Sequence, residues 1–441
     1  MDGVAPGLET LPRVPNVFFG EALTGLEQRL FADAADGRLD EHSLLDAALV
    51  ASGVDRAEAL QRYARQRDAL VEELRPLISP TQTPRRQAEV VFEFMHRRVL
   101  QGGYHIDCTD LRLALDEGRF NCVSASVLFN CLAGPLGLPV CGLEIPGHAM
   151  SRVSLPEEPL DIETTCAEWF RWMGNPGKQA EMAAKAAGTP PSHPRGPIRE
   201  VSPVQIAAMI YYNRGVDLLA EKRFATAAAA NAKALWLDPD STTARGNLLA
   251  TINNWAIDLG NSGRCAEARD LLLQGLALDP LYETFGTNFV HVHHQWVQSL
   301  CQAEQFETAL KVLSDGAAAQ PDRPYFAQAL LVVYRRWARS LLERNEQEQA
   351  FTVLDQARQR CGRRPEVLDA EIAEISSFGL ELLASGRAEA AVVLLDRGLA
   401  RCPGTTLLED NRRAAVLQWA GSTLANGAAA ETLPPSAQRD R

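Results

Sequence analysis

Five series of residues recur at one interval in the second half of the chain. Leu218, Leu259, Leu300, Leu341 and Leu382 stand 41 residues apart, and so do Ala227, Ala268, Ala309, Ala350 and Ala391. The aromatic series Trp255, Trp296, Trp337, Phe378 and Trp419 keeps the same step, as do the small residues Ala234, Gly275, Gly316, Ala357 and Gly398. Pro239, Pro280, Pro321 and Pro403 follow it too, with Gly362 in the missing place. Independent residue types sharing one period require a repeated supersecondary unit. Such a unit hides its apolar face only against its neighbours, so the array has to stack.

Within a unit the order is aromatic, Leu, Ala, small residue and Pro. It resembles the tetratricopeptide (TPR) repeat, a helix hairpin whose small residues allow close crossing and whose Pro ends the second helix. The unit is about seven residues longer than the family's usual ~34, or two helical turns, which predicts longer helices. Residues 204–425 are read as five TPR-like hairpins, from about Ile206 to Cys402, closed by a capping helix over Leu407 to Leu424. Because each hairpin needs only its neighbours, residues from about 200 onward are expected to fold alone. Residues 426–441, polar and rich in Ala and Pro, read as a disordered tail.

Ahead of the repeats the pattern differs. Residues 1–20 hold prolines and glycines and read as a loose arm. From Glu21, apolar residues at three- and four-residue spacings predict helices around Leu23 to Leu30, Leu44 to Leu49, Ala59 to Leu74 and Arg86 to Leu100, with Asp55 as a candidate N-cap. Residues 171–203 turn to Gly, Pro and Ala and read as a linker with one helix, Lys178 to Ala187, so a domain boundary is expected there.

Between these helices and the linker lies FNCVSASVLFNCLAGPLGLPVCGLEIPGHAMSRVSLPEEPLDIETT, from Phe120 to Thr165. Cys122 opens an apolar run that lacks Pro and Gly through Leu132, which predicts a helix. At its N-terminus, free backbone N–H groups and the dipole favour thiolate over thiol. Pro139 to Ile145, Ala149 to Leu155 and Leu160 to Thr165 read as three strands, with His148 beginning the second and Asp161 the third. On antiparallel neighbours, Asp161 can orient the imidazole while its other face meets Cys122.

The order Cys122, then Ala125 and Ser126, then Leu136-Gly137-Leu138-Pro139, then His148 and Asp161 resembles the transglutaminase-like superfamily, papain-like in its catalytic arrangement. The likeness covers roughly residues 85 to 170. Where many members carry Gly before the cysteine and an aromatic after the histidine, this chain has Phe120-Asn121 and Ala149. The resemblance implies an α+β catalytic domain over residues 21–170, its helix-start cysteine packed on an antiparallel sheet, ahead of the all-α TPR solenoid. It also implies a cysteine-dependent hydrolase or acyltransferase acting on peptide or carboxamide bonds of a protein or peptide. Cys122 would attack, His148 would shuttle the proton and Asp161 would orient His148. Cys131, Cys141 and Cys166 show a second use of cysteine in this region, as a small core residue, and Cys122 can be read so as well. The chain is then a non-catalytic adaptor or scaffold with a relic domain, whose repeat groove holds a protein or peptide partner.

Composition narrows the field. A net charge of −12 across 441 residues, with 56 acidic against 44 basic side chains, argues against nucleic-acid or anionic-membrane surfaces. No apolar run reaches spanning length, and Met1 to Gly20 has acidic residues and prolines where a signal peptide has a basic start, so a cytoplasmic protein is expected. No Gly-rich phosphate loop implies a cofactor. The nine cysteines lack CxxC spacing, so no metal cluster is expected. His291, His293 and His294 look like ligands until the period aligns His293 with Ile252 and Tyr334, and His291 with Ala250 and Val332, which points to packing or groove lining. Tyr104 to Asp110 crowds His105, Asp107, Cys108 and Asp110 together, yet alternation sends them to opposite sides, and a structural loop or strand is expected.

Overall fold

The computed structural model describes residues 23–186, 198–362 and 364–425. The arm and the tail expected at residues 1–20 and 426–441 lie outside the described residues. The chain divides into two compact units. The first runs through Ala256 and takes in Leu271–Tyr282; the second holds Ile257–Asp270 and Glu283 onward.

In the first unit, local capping chemistry starts the early helices. Thr24 caps α1 (Gly25–Asp33) through a reciprocal box with Glu27, and Ser43 caps α2 (Leu44–Ala51) in the same way with Asp46. Helix α3 (Ala57–Leu74) departs from expectation: its N-cap is Arg56, without a side-chain bond, so Asp55 does not cap it. Thr83 caps α4 (Pro84–Arg98), whose Pro84 occupies the position where a missing N–H costs nothing. A short parallel ladder pairs β1 (Gly103–Tyr104) with β2 (Arg119–Phe120), and between them Asp110 caps α5 (Leu111–Glu117). The Tyr104 to Asp110 stretch is thus a strand and a cap.

Helix α6 (Cys122–Ala133) is the axis of this unit. Every residue from Val123 to Ala133 is buried, the signature of a helix packed on all sides. Around it lie α2, α3, α4 and α5, together with a sheet. That sheet contains β3 (Val140–Ile145), β4 (His148–Val153) and β5 (Leu160–Ile162), ordered β5-β4-β3 and antiparallel. A two-residue turn joins β3 to β4, and Gly147 takes the positive φ of 76° that it needs.

The segment read as a linker adds structure of its own. Helix α7 (Pro176–Ala186) is followed by β6 (Arg199–Val201), which pairs antiparallel with β3 and completes the order β5-β4-β3-β6. One residue later Ser202 caps α8 (Pro203–Ala220), the first helix of the repeat series. Its buried run from Ile206 to Tyr212 packs against α2, α6, β3 and β6. The absence of a side chain at Gly142 makes the approach possible, since a Cβ there would stand 2.7 Å from Val201 and 2.8 Å from Ile206. The division of the chain therefore does not fall at 171–203, and α8 belongs to the sheet's unit. An array beginning at residue 200 would expose that face.

Helix α9 (Phe224–Leu237) closes the first hairpin on α8, with Gly215 leaving room for Asn231. The series continues with α10 (Thr242–Asn261), α11 (Cys265–Leu278), α12 (Glu283–Gln302), α13 (Phe306–Ala319), α14 (Pro324–Glu343), α15 (Gln347–Cys361), α16 (Pro365–Ala384), α17 (Ala388–Arg401) and α18 (Thr406–Ala425). From Thr242, first helices start every 41 residues, and second helices do so from Phe224. The five period-spaced alanines are fully buried. Pro239, Pro280, Pro321 and Pro403 each stand two residues beyond the end of a second helix. The turn inside each hairpin needs one left-handed residue, supplied by Lys222, Gly263, Glu304, Asn345 and Gly386, again on the period.

Within the second unit each hairpin packs on the next, and α18 covers α16 and α17. Close crossing there depends on the small residues. A Cβ on Gly316 would lie 2.3 Å from the Phe326 ring of α14, and one on Gly398 would lie 2.8 Å from Ile375.

Candidate functional site

Asn121 builds the N-terminus of α6. Its Oδ1 accepts from the backbone N–H of Val123 at 3.0 Å and of Ser124 at 3.1 Å, while Ser124 Oγ accepts from the Asn121 N–H. Its amide is held in turn by Thr109 Oγ1 at 2.5 Å and the Ile106 carbonyl at 3.1 Å. Cys122 is therefore the first residue of a rigidly capped helix. It is only half-buried, whereas Cys131 in the same helix is buried and its thiol is pushed up to about 12 by burial.

His148, at the start of β4, is buried. Its Nε2 donates to Glu163 Oε2 at 2.6 Å, and Nδ1 has no hydrogen-bond partner among the described residues. The Cys122 thiol is near enough to act on the ring electrostatically. Burial pushes the imidazole down, but polar contact with Cys122 and with Glu163 outweighs it and lifts His148 to about 10. An imidazolium beside a thiol is the pairing that nucleophilic cysteine chemistry uses.

The carboxylate that orients His148 is Glu163, which the sequence reading missed. Asp161 was expected there. Its carboxylate instead accepts from Arg152 Nε at 2.6 Å and Nη2 at 2.9 Å. The register explains this, because Asp161 lies directly opposite Arg152 on β4. Glu163 stands past the end of β5, where its fully buried carboxylate can reach His148. Thr165 secures the other oxygen, donating from its backbone N–H at 3.1 Å and from Oγ1 at 2.6 Å. Arg152, four residues beyond His148 and thus on the same strand face, was the one clue that Asp161 had another partner.

Other residues enclose this group. His96 of α4 donates from Nε2 to the Thr164 carbonyl at 3.1 Å, and its ring lies against Phe92 and Phe120. Burial lowers His96 to about 4, so it is neutral and holds the turn that carries Glu163. Ser126 and Thr164 join hydroxyls at 2.9 Å. Tyr104, paired in register with Phe120, is partly exposed; burial of its phenol and the nearness of Cys122 and Glu163 push it up to about 12.

The histidines of the second unit are a different case. His293 is fully buried among Phe289, Trp296 and Phe326, with Nδ1 donating to the Phe289 carbonyl at 2.7 Å. His291 and His294, by contrast, are exposed, so of the packing or groove-lining roles expected from the period only His293 takes the packing one. Among the described residues no group of three or more His, Cys, Asp or Glu is placed to hold a metal ion. Also in the second unit, a cavity of about 450 Å³ opens between first helices. Its walls include Phe306, Val332, Arg335, Arg336 and Arg339.

No family model matches the chain, and no curated protein matches it. Solved structures similar to it include a thermophilic TPR protein of Thermus thermophilus, at 19% identity over 48% of this chain and 99% of the other, with a TM-score of 0.16. YrrB, described as a TPR protein with an unusual peptide-binding site, matches at 17% identity over 47% of this chain and 92% of its own, TM-score 0.16. PilW, a type IV pilus biogenesis factor, matches at 19% over 55% and 94%, TM-score 0.18. Likeness at these scores is weak, and the hairpin repeat stands on the chain's own helices. Among the described residues no helix is long and apolar enough to cross a membrane.

Proposed function

We propose that the chain is a protein-binding repeat scaffold whose first unit carries a thiol site of the transglutaminase-like kind. The scaffold half follows from architecture. Stacked helix hairpins offer extended surfaces rather than chemistry, and the cavity beside Phe306 and Val332, whose Arg335 and Arg339 are paired with Glu343 and Glu374 of the same lining, offers a polypeptide partner a mixed polar and apolar surface.

The observation that favours thiol chemistry over a relic is the buried Glu163–His148 pair, with Nδ1 left open beside a half-buried cysteine. A structural histidine has no need of a buried carboxylate on one side and an unbonded nitrogen on the other. In this reading Cys122 Sγ attacks a carbonyl or carboxamide carbon and forms a thioester. His148 carries the thiol proton to the departing amine, and Glu163 keeps the imidazole turned towards the thiol. Water or a second amine then releases the acyl group.

Mass-spectrometric mapping of iodoacetamide adducts between about pH 5 and 9 tests it, with Cys131 as the internal reference. Cys122 is expected to react well ahead of Cys131 near pH 6. Equal rates in the native protein leave the adaptor reading alone standing.

A further inference from the structure

We propose that α8, the first helix of the repeat series, is a working wall of the thiol site, with Asn213 and Tyr212 as positioning residues. The inference rests on the thiol reading above. Two adjacent side chains of α8 reach the groups that set Cys122 in place. Asn213 Nδ2 donates to Thr109 Oγ1 at 3.4 Å, and that same oxygen accepts from Asn121 Nδ2 at 2.5 Å. Asn121 is the residue that caps α6 at Cys122, so a donor from the repeat helix bears on the cap through one shared hydroxyl.

Tyr212 works from the other side. Its hydroxyl donates to Glu144 Oε1 of β3 at 3.0 Å, and Glu144 is held by Arg199 of β6, which also binds Asp238 just past α9. Glu144 lies across the β3–β4 ladder from Ala149, the residue after His148, so the phenol is pinned to the strand pair that carries the imidazole. Burial and Glu144, with Cys122 adding to them, raise it well above its ordinary range. A neutral O–H pinned by Glu144 presents a fixed dipole there, and the pin is made of residues from the sheet and from the first hairpin together.

The neighbouring Tyr211 supplies the control. It is on the same helix and is also buried, yet its hydroxyl donates to Glu27 of α1 at 3.0 Å. A merely architectural role for α8 would make Tyr211→Phe and Tyr212→Phe equivalent. A positioning role separates them.

The experiment is the pH profile of Cys122 alkylation in the full chain, with thermal melting to confirm the fold. Tyr212→Phe and Asn213→Leu should each slow Cys122 near pH 6 by about threefold to tenfold and move the midpoint of the profile, while Tyr211→Phe leaves the profile in place. Asn213→Gln, which keeps the amide, should recover part of the rate. Folded Tyr212→Phe and Asn213→Leu proteins with unchanged profiles overturn this inference and leave the thiol site standing. A wild-type Cys122 no faster than Cys131 removes the thiol site, and this inference falls with it.

Discussion

His148 in the first unit and His293 in the second are both buried imidazoles, and each keeps one nitrogen without a partner among the described residues. They differ in the partner of the other nitrogen. His148 donates to a carboxylate, and the charge of Glu163 together with Cys122 lifts it to about 10 in spite of burial. His293 donates to a carbonyl of its own helix, among aromatic rings, and burial wins and lowers it. The groups beside the ring, a thiol and a buried carboxylate in one case and a helix carbonyl in the other, decide which way a buried histidine is pushed.

The largest test removes that anion. Glu163→Gln keeps the shape but not the charge, and Cys122 alkylation near pH 6 should fall by about a hundredfold. Asp161→Asn, which breaks only the pairing with Arg152, should change the rate by less than about twofold. A larger effect from Asp161 than from Glu163 would reverse the assignment.

A charge placed on the second histidine should act on the fold instead. His293→Asp buries an unpaired carboxylate among Phe289 and Phe326 and should cost about 2–4 kcal/mol in denaturant unfolding. His293→Leu removes an unsatisfied nitrogen and should stay within about 1 kcal/mol of wild type. Equal losses from both would show that the imidazole has a role beyond filling.

The two histidines should also give stability opposite pH dependences. His148 is raised above its ordinary value, so its contribution is complete below about pH 6.5 and is lost as pH rises to about 10. His293 is lowered, so its contribution is complete above its ordinary value and is lost as pH falls through the lowered one, with His96 adding a similar acid limb near 4. In thermal melts Glu163→Gln should flatten the alkaline limb by roughly 2–4 °C and leave the acid limb unchanged.

The smallest expected effect lies in the hairpin turns. Gly263 and Glu304 occupy the same left-handed position one period apart, at φ 78° and 55°. Gly263→Ala should cost about 1 kcal/mol, and Glu304→Gly should gain somewhat less, since it gives up an exposed pairing with Arg344. Calorimetry that ranks them the other way would refute the strain account.

These cases also show what the sequence makes legible. The 41-residue period survives translation into structure because many weak signals repeat in phase, and Ala227, Ala268, Ala309, Ala350 and Ala391 all reach complete burial. The placing of α8 does not show, because its apolar face would fit a neighbouring hairpin as well as it fits the sheet. Strand β6 is three residues, Arg199-Glu200-Val201, following a proline-rich stretch, too short to leave a pattern. Cys122 and His148 announce themselves through a helix start and a turn. Glu163 was hidden by Asp161, two residues before it and of the same charge, since only the cross-strand register assigns Arg152 to one of them.

The sheet order β5-β4-β3-β6 carries a consequence for synthesis. Partners of Gly142 and of the apolar surface around α6 reside in residues 199–212, some sixty positions downstream. A nascent chain that has delivered Cys122, His148 and Glu163 still lacks the last strand and its covering helix. The thiol cannot take up its finished surroundings until the first hairpin has left the ribosome, so the order of emergence itself delays the moment at which Cys122 is completed.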